Sequence, residues 1–307
     1  MFKKLLIANR GEIAVRIIRA ARELGISTVA VYSEADKNSL HTILADEAIC
    51  IGPAKSTSSY LNMNAVLSAA IVTKAEAIHP GFGFLSENSK FATLCEEMNI
   101  KFIGPSGKVM DKMGDKINAR AEMIKANVPV IPGSEGEVFT VEEAFKVADE
   151  IGYPVMLKAS AGGGGKGIRK VESKEALAPA FESASQEALA AFGNGAMYIE
   201  KVIYPARHIE VQILGDSFGN IVHLGERDCS LQRNNQKVLE ESPSVAIGTS
   251  LRNGMGEAAV RAAKAVSYEN AGTIEFLLDE KTRQFFFMEM NMSSRVNNLF
   301  NIHRTIT

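Results

Sequence analysis

The chain has 307 residues, 46% of them hydrophobic and 23% charged, which is ordinary for a globular protein of about two domains. Its 34 basic and 36 acidic residues give a net charge of -2, without the basic excess of a protein that binds nucleic acid through phosphates. No apolar run approaches the roughly 18 residues of a membrane span, and residues 1–9 are too short for the apolar core of a signal peptide. The 3 cysteines are scattered, which excludes a disulfide scaffold and favours the reducing cytoplasm.

The first part of the chain alternates short apolar runs with amphipathic segments. The pattern predicts strands over residues 4–8, 28–32, 48–51, 76–79 and 101–103, and helices over residues 12–24, 62–73 and 87–98. Gly25 is expected to end the first helix. Strands that alternate with helices of this length predict a doubly wound parallel sheet. The turn after the first strand holds a single glycine, Gly11, which argues against a dinucleotide site.

A second unit follows a connecting segment over residues 114–132, which is predicted to be helical over 116–126. The pattern then predicts a helix over residues 141–151, strands over 154–159 and 168–171, and a helix over 174–192. From residue 197 the chain reads as rich in strands, predicted over 197–201, 208–215, 220–227, 272–278 and 284–291.

Four consecutive glycines, Gly162, Gly163, Gly164 and Gly165, join the two strands of that second unit. Without Cβ atoms, their backbone N–H groups can approach an anion closely. The segment lacks the Ser or Thr of a Walker A loop, so we interpret it as a hairpin flap over phosphates, the alternative being a flexible hairpin tip. Lys158, at the end of an apolar strand, needs a negative partner, and a nucleotide phosphate would serve.

Residues 272–291 read as a β-hairpin with its turn centred on Thr282. That centre places Glu275 opposite Glu289 and Thr273 opposite Asn291, so Glu275, Glu289 and Asn291 share one face. Two facing carboxylates in an apolar setting repel, which predicts a cation between them. Carboxylate and amide oxygens suit Mg²⁺ or Mn²⁺ that also holds phosphates, and the alternative is a solvated face of the sheet.

Residues 226–237 combine charged and amide side chains directly after an apolar strand. They belong either to the same site or to a polar surface loop, and the sequence leaves both open. Cys229 and His223 are too few for a metal site, since no further Cys or His lies at ligand spacing. No Ser-His-Asp or Cys-His arrangement is evident from spacing.

Several strings together resemble one family. They are Ile-Ala-Asn-Arg-Gly-Glu-Ile-Ala at 7–14, Ala-Ile-His-Pro-Gly-Phe-Gly-Phe-Leu-Ser-Glu-Asn at 77–88, Gly-Asp-Lys at 114–116, Lys158 with its glycine loop, and residues 226–232. From residue 1 to about residue 291 the chain resembles the biotin carboxylases, ATP-grasp enzymes found in acetyl-CoA and pyruvate carboxylases. The resemblance implies an N-terminal doubly wound α/β domain (1–113), a connecting segment (114–132), an ATP-grasp lid with the glycine loop (133–203) and an incomplete antiparallel-sheet domain of α+β type (204–307).

The resemblance also implies which residues bind which ligand. ATP contacts fall on Lys116, Lys158, the glycines 162–165, Glu200, Lys201, His208 and Gln232, metal ligands on Glu275, Glu289 and Asn291, and the lysine near bicarbonate on Lys237. It implies ATP and Mg²⁺ or Mn²⁺ as cofactors, biotin on a carboxyl carrier protein as substrate, carboxyltransferase subunits as partners, and a homodimer. In the family, ATP phosphorylates bicarbonate to carboxyphosphate, whose CO₂ carboxylates biotin, chemistry that depends on positioning and charge neutralisation.

Departures from the family begin after Asn291. Where the family reads Thr-Arg-Ile-Gln-Val-Glu-His-Pro, residues 292–299 read Met-Ser-Ser-Arg-Val-Asn-Asn-Leu. Ser293 replaces the arginine that holds bicarbonate, Asn297 replaces the general-base glutamate, and Arg295 is the candidate to substitute for the lost arginine. An amide cannot accept the proton, which predicts impaired carboxylation. Asn235 stands where a histidine is usual, and the family continues well beyond residue 307.

Three hypotheses follow. The first is a biotin-carboxylase chain that binds ATP but is impaired in carboxylation, through truncation, a reading-frame change or engineering. The second is a non-catalytic nucleotide-binding or partner-docking module, and the third is another ATP-grasp ligase that uses an amine other than biotin. Three measurements distinguish them. They are bicarbonate-dependent ATP hydrolysis with biotin, ATP affinity without turnover, and amine-dependent ADP release.

Overall fold

The computed structural model describes residues 2–160, 167–233 and 236–291. The N-terminal unit is a five-stranded parallel sheet in the order β3-β2-β1-β4-β5, which confirms the predicted doubly wound sheet. The chain builds one side of the sheet first and then returns past β1 to build the other. The strands are β1 (Lys4–Ile7), β2 (Ser27–Ser33), β3 (Glu47–Gly52), β4 (Ala77–His79) and β5 (Lys101–Phe102).

Helices cover both faces of this sheet. Leu5 and Ile7 share a core with the apolar stripe of the first helix on one face, and Leu6 belongs to the core on the other face. Gly25, with φ +70°, follows that helix in the left-handed conformation expected of a glycine after a helix end. The three predicted helices are confirmed, and two short ones were not predicted. They are α1 (Gly11–Glu23), α2 (Leu40–Leu44), α3 (Met63–Thr73), α4 (Ser89–Glu97) and α5 (Gly107–Gly114), α2 and α5 being the additions.

The loops after β1 and β4 meet where the strand order reverses. Asn9 Nδ2 donates hydrogen bonds to the carbonyls of Pro80 at 2.7 Å and Phe82 at 2.8 Å. Gly81 has φ +66°, and a Cβ there would lie 2.8 Å from the same nitrogen. The close approach of the two loops therefore requires glycine at this position.

The second unit is a three-stranded antiparallel sheet in the order β7-β6-β8, which we call the lid sheet. Val155, Leu157, Met197 and Ile199 face a core of their own with the helices α7 and α8. Because side chains alternate along a strand, Lys158 lies on the opposite face. The elements are α6 (Lys116–Lys125), α7 (Val141–Ile151), β6 (Val155–Ala159), β7 (Arg169–Val171), α8 (Leu177–Phe192) and β8 (Met197–Lys201).

The third unit is a five-stranded antiparallel sheet in the order β11-β10-β9-β12-β13, covered on one face by a long helix. Met255 of that helix and Val211 of the sheet belong to the same core as Leu6 of the first sheet, so the first and third units are packed together. The elements are β9 (Ala206–Gly215), β10 (Ile221–Arg233), β11 (Gln236–Glu241), α9 (Thr249–Ala265), β12 (Asn270–Asp279) and β13 (Phe285–Asn291).

The third unit differs from the sequence analysis in two ways. The 17-residue helix α9 was not predicted, because no element was assigned between residues 227 and 272 in a region that the pattern indicated to be rich in strands. The described part of residues 226–237 lies in the paired strands β10 and β11, so the alternative of a polar surface loop is incorrect. None of the described helices is long and apolar enough to cross a bilayer.

Candidate functional site

Lys158 and Glu200 form the lid-sheet part of the candidate site. Lys158 Nζ donates a hydrogen bond to a Glu200 carboxylate oxygen across the β6–β8 pair. Tyr198 lies directly opposite Lys158 in the same pairing and shares its face. The negative partner that the sequence required for Lys158 is therefore Glu200 in this structure. The Lys158 side chain remains 33% exposed, so its ammonium is still accessible to an anion.

A cavity of about 340 Å³ opens between the lid sheet, α6 and β13, within the usual size range of small-molecule sites. Arg120 Nε, Ser160 Oγ and Tyr198 Oη are buried on its wall without a hydrogen-bond partner among the described residues. Buried polar atoms normally have partners, so these three indicate that the cavity accommodates a polar ligand. The lining includes Glu87, Gly114, Arg120, Ile131, Lys158, Ser160, Tyr198, Glu200, Met288, Glu289 and Asn291.

The Lys201 side chain is directed elsewhere. Its Nζ donates to the carbonyls of Gly152 and Tyr153, both at 2.9 Å, at the end of α7. The ammonium of Lys201 is therefore paired with the lid's own backbone, and the contact between Lys201 and a nucleotide stays a prediction.

The hairpin β12–β13 has the predicted pairing at its open end. Glu275 lies opposite Glu289 and Thr273 opposite Asn291. Nearer the turn the register shifts by one residue, since Phe276 pairs with Phe287 and leaves Met288 as an extra residue. The strand register counted from a turn centred on Thr282 is therefore confirmed for the acidic pair, but it is wrong for the residues closer to the turn.

Glu275 is the buried centre of a polar cluster. It is 2% exposed, and its Oε1 accepts hydrogen bonds from Lys237 Nζ at 2.7 Å and from Asn291 Nδ2. His208 Nε2 lies 2.7 Å from its Oε2, while Gln232 Nε2 lies 2.8 Å from His208 Nδ1. Burial alone would raise the pKa of Glu275, but the contact with His208 and the charge of Lys237 outweigh it and lower the pKa to about 2.

Lys237 bridges two buried carboxylates. Its Nζ donates to Glu275 and also to Glu210 on β9. Burial would lower the pKa of Lys237, but the negative charges of Glu210 and Glu275 outweigh it and raise the pKa to about 12. Lys237 is therefore a fixed positive charge at neutral pH.

Asn291 connects the cavity with this cluster, because it lines the cavity and donates to Glu275. Five of the predicted residues are thus in one group, joined by hydrogen bonds and by the contact between His208 and Glu275: His208, Gln232, Lys237, Glu275 and Asn291. Glu289 adjoins it as the strand partner of Glu275 and lines the cavity.

Other predicted residues lie outside the described part of the chain. Gly162, Gly163, Gly164, Gly165 and Arg295 are outside the described ranges, as are Ser293 and Asn297. Lys116 begins α6, but its side chain is not among those described.

Sequence reasoning missed Glu210 and gave Arg227 no individual role. Arg227 Nε donates to Glu210 Oε1 at 2.6 Å, and both residues are buried. A signal for Glu210 was present, since His208, Glu210 and Gln212 alternate with the buried Ile209 and Val211 along β9. That period of two places the three polar side chains on one face of the sheet.

The donors in this cluster fit a hard divalent cation. Glu275 and Glu289 offer carboxylate oxygens and Asn291 an amide oxygen, the ligands that Mg²⁺ and Mn²⁺ prefer. The Lys237 ammonium against Glu275 already indicates that this position stabilises positive charge. Cys229 lies close to Glu210 and Glu240, but burial raises the pKa of its thiol, which disfavours it as a ligand.

A doubly wound domain followed by two antiparallel sheets, with a cavity that is walled by a lysine–glutamate pair and adjoins a carboxylate cluster, is the arrangement of an ATP-grasp protein. Residues 1–110 match the family described as "Biotin carboxylase, N-terminal domain", and residues 115–307 match "Carbamoyl-phosphate synthase L chain, ATP binding domain". Biotin carboxylase 1 of Bacillus subtilis (strain 168) is 59% identical over 296 residues, 96% of this chain and 66% of that protein.

Two solved structures are similar over nearly the whole chain. Biotin carboxylase from Campylobacter jejuni, in a complex named beta-gamma-ATP, has a TM-score of 0.92 at 52% identity and covers 100% of this chain and 70% of its own. The second is the biotin carboxylase domain dimer of Hydrogenobacter thermophilus 2-oxoglutarate carboxylase, with MgADP, ADP and bicarbonate. It has a TM-score of 0.86 at 51% identity, and the match covers 97% of this chain and 65% of the Hydrogenobacter chain. This chain belongs to the biotin carboxylase family. It spans about two thirds of the length of the curated biotin carboxylase that it matches at 59% identity.

Proposed function

We propose that this chain binds ATP with Mg²⁺ in the cavity next to Lys158, as the nucleotide site of a biotin-carboxylating ligase that uses bicarbonate. The observation that carries the proposal is Asn291, which belongs both to the cavity wall and to the Glu275–Lys237 cluster. A nucleotide in the cavity would therefore have its phosphates beside carboxylates suited to Mg²⁺ and beside a permanently charged lysine. The solved relatives named with a beta-gamma-ATP or MgADP complex support this choice of ligand.

On the lid sheet, the proposed step is an exchange of partners. Lys158 leaves Glu200 for a phosphate oxygen, and Glu200 is then free to accept a hydrogen bond from another part of the nucleotide. The buried hydroxyl of Tyr198 and Nε of Arg120 gain partners in the same event. The exchange gives Lys158 and Glu200 each a new polar partner in the nucleotide.

In the carboxylate cluster, Glu275, Glu289 and Asn291 would hold Mg²⁺, which when bound neutralises phosphate charge. Lys237 is the candidate to hold the bicarbonate or the transferred phosphoryl group, because it remains protonated. His208, with Gln232 at its other ring nitrogen, orients the second oxygen of Glu275.

We further propose that carboxylation itself is impaired in this chain. Ser293 and Asn297 stand where the family has an arginine for bicarbonate and a glutamate that acts as base. A serine cannot pair with an anion as arginine does, and a neutral amide does not accept the proton. Arg295 is the candidate to supply part of the missing positive charge.

The proposed partners follow from the same function. A biotin carboxyl carrier protein would present the substrate, carboxyltransferase subunits would consume the product, and a second copy of the chain would complete a homodimer, the assembly named for the Hydrogenobacter relative. A cytoplasmic location remains a proposal, since relatives at similar identity include a chloroplastic enzyme of Populus trichocarpa.

Nucleotide binding tests the proposal directly. Calorimetric titration with ATP and Mg²⁺ should show binding to the unmodified chain, and Lys158→Ala should weaken it about tenfold or more, the effect of losing one charge-assisted contact. Lys174→Ala is the matched control, because Lys174 pairs with Asp149 in the same unit and does not line the cavity. Equal losses in the two variants, or absence of binding to the unmodified chain, would contradict the site.

Turnover separates the remaining hypotheses. ADP release with bicarbonate and free biotin should be low in this chain. Near-normal turnover would contradict the proposed impairment, and ADP release that needs an amine in place of biotin would favour a different ligase. Binding without turnover on any substrate would favour a nucleotide-binding module.

A further inference from the structure

Lys237 has two carboxylate partners whose environments differ. Glu275 accepts from Lys237 and Asn291 on one oxygen, and His208 Nε2 lies 2.7 Å from the other. Glu210 accepts from Lys237 and, on its other oxygen, from Arg227. Both carboxylates are nearly inaccessible to solvent, at 2% and 4% exposure, so neither can exchange its protein partners freely for water.

Arg227 holds Glu210 in one orientation. It lies directly opposite Glu210 in the β9–β10 pairing and is 7% exposed. Its Nε is 2.6 Å from Glu210 Oε1 and 3.5 Å from Glu240 Oε2, and its two terminal nitrogens are each 3.2 Å from Gln212 Oε1. A planar guanidinium with contacts on three side chains has little freedom to rotate, so Glu210 Oε2 stays directed at Lys237.

This arrangement decides which carboxylate is available to a metal ion. A divalent cation at Glu275 and the ammonium of Lys237 are like charges and cannot share one carboxylate oxygen without strong repulsion in a buried setting. When the cation takes Glu275, Lys237 needs another counter-ion, and Glu210 is already in contact with it. Without an oriented Glu210, Lys237 would remain on Glu275 and compete with the cation.

We propose that Arg227 is a positioning residue for metal binding: by orienting Glu210 it retains Lys237 and leaves Glu275 free for a divalent cation. The inference rests on the proposed function, because it concerns the cation that accompanies the nucleotide. Arg227 itself lies behind Glu210 and acts only through the chain Arg227–Glu210–Lys237–Glu275.

Binding of Mn²⁺ in the presence of ADP, followed by electron paramagnetic resonance, measures the effect without requiring turnover. Arg227→Gln should weaken Mn²⁺ binding about tenfold, the size expected for one charge-assisted hydrogen bond. Glu210→Gln should do the same, and it carries the test if Arg227→Gln does not fold. Arg227→Lys keeps the charge but not the fork geometry, and should fall between the unmodified chain and Arg227→Gln.

A double-mutant cycle distinguishes positioning from a structural role. In the Lys237→Met background no ammonium competes for Glu275, so Arg227→Gln should cause no further loss of Mn²⁺ affinity. Arg252→Gln is the matched control, since Arg252 pairs with the buried Glu226 on the same sheet. It should lower the melting temperature while leaving Mn²⁺ affinity unchanged.

Three outcomes overturn the inference. They are additive losses in the cycle, unchanged Mn²⁺ affinity in a folded Arg227→Gln or Glu210→Gln protein, and an equal loss in Arg252→Gln. Failure of the unmodified chain to bind Mn²⁺ with ADP would overturn the proposed function and this inference with it. Mn²⁺ binding that is unchanged by the Arg227 substitutions would overturn this inference alone.

Discussion

Glu275 combines near-complete burial with an ionised carboxylate, a combination that is costly unless the charge is compensated. Lys237, Asn291 and His208 compensate it from three different strands. The residue therefore links the chemistry of the site to the stability of the sheet. Removal of any one of these partners leaves the buried charge of Glu275 less compensated.

The pKa of Glu275 predicts an acid-dependent loss of stability. Its pKa of about 2 in the folded protein lies below its ordinary value of 4.5, so the ionised carboxylate stabilises the fold fully above about pH 5. That contribution, on the order of 3 kcal/mol, is lost as pH falls from 4.5 toward 2. Chemical denaturation at several pH values should therefore show the unmodified chain and Glu275→Gln converging at low pH. A constant difference down to pH 2 would contradict the assignment.

Strand β12 is positioned by a tight contact at its start. Gly272 lies against the ring of Tyr268, where a Cβ would meet the phenol oxygen and lie 2.6 Å from Cζ. Tyr268 is 1% exposed, and its hydroxyl donates to the carbonyl of Ala271 at 3.1 Å. This contact stands three residues before Glu275, so it determines where β12 enters the sheet and hence where the carboxylate lies.

Gly272→Ala should therefore destabilise the fold by about 2 kcal/mol or more, because the buried ring cannot move aside in a packed core. It should also weaken nucleotide binding through the displaced β12. The measurement is urea denaturation together with ATP titration. Gly136→Ala is the control, since a Cβ there meets nothing within 4 Å. Equal stability of the two variants would show that Tyr268 can move aside.

At the scale of the whole molecule, the described residues form more than one core. The first and third sheets share one, while the lid sheet packs with α7 and α8 around another. The segment that leads into the lid is attached to the third sheet near Phe287, whose N–H donates to the carbonyl of Pro129 at 2.7 Å. The cavity lies along this junction, with walls from both sides.

A nucleotide that contacts both walls should couple the two regions. Hydrogen exchange of β6, β8 and β13 should slow when ATP and Mg²⁺ are added, because opening of the lid sheet then also breaks ligand contacts. Exchange in β1 and β2 should change little, since those strands lie away from the cavity. Uniform slowing along the chain, or slowing confined to β1 and β2, would contradict the proposed place of binding.

The sequence by itself determined the parallel sheet, the lid strands and the facing pair Glu275 and Glu289. Each is encoded locally, in a period of two or of about 3.6 residues or in a distance from one turn. The sequence did not predict the bulge at Met288, because the residue spacing in the hairpin gives no sign of one extra residue in β13. Helix α9 was not predicted, because residues 249–265 were assigned no element in a region that the sequence indicated to be rich in strands.

Only the tertiary structure decided the partners of the charged side chains. Arg227, Glu210, Lys237 and Glu275 come from four strands whose order in the sheet is not their order in the chain. Likewise the fold pairs Lys158 with Glu200 and directs Lys201 to the carbonyls at the end of α7. The physical reason is that electrostatic interactions depend on distance and burial in space, whereas periodicity along a chain specifies only the face on which a side chain lies.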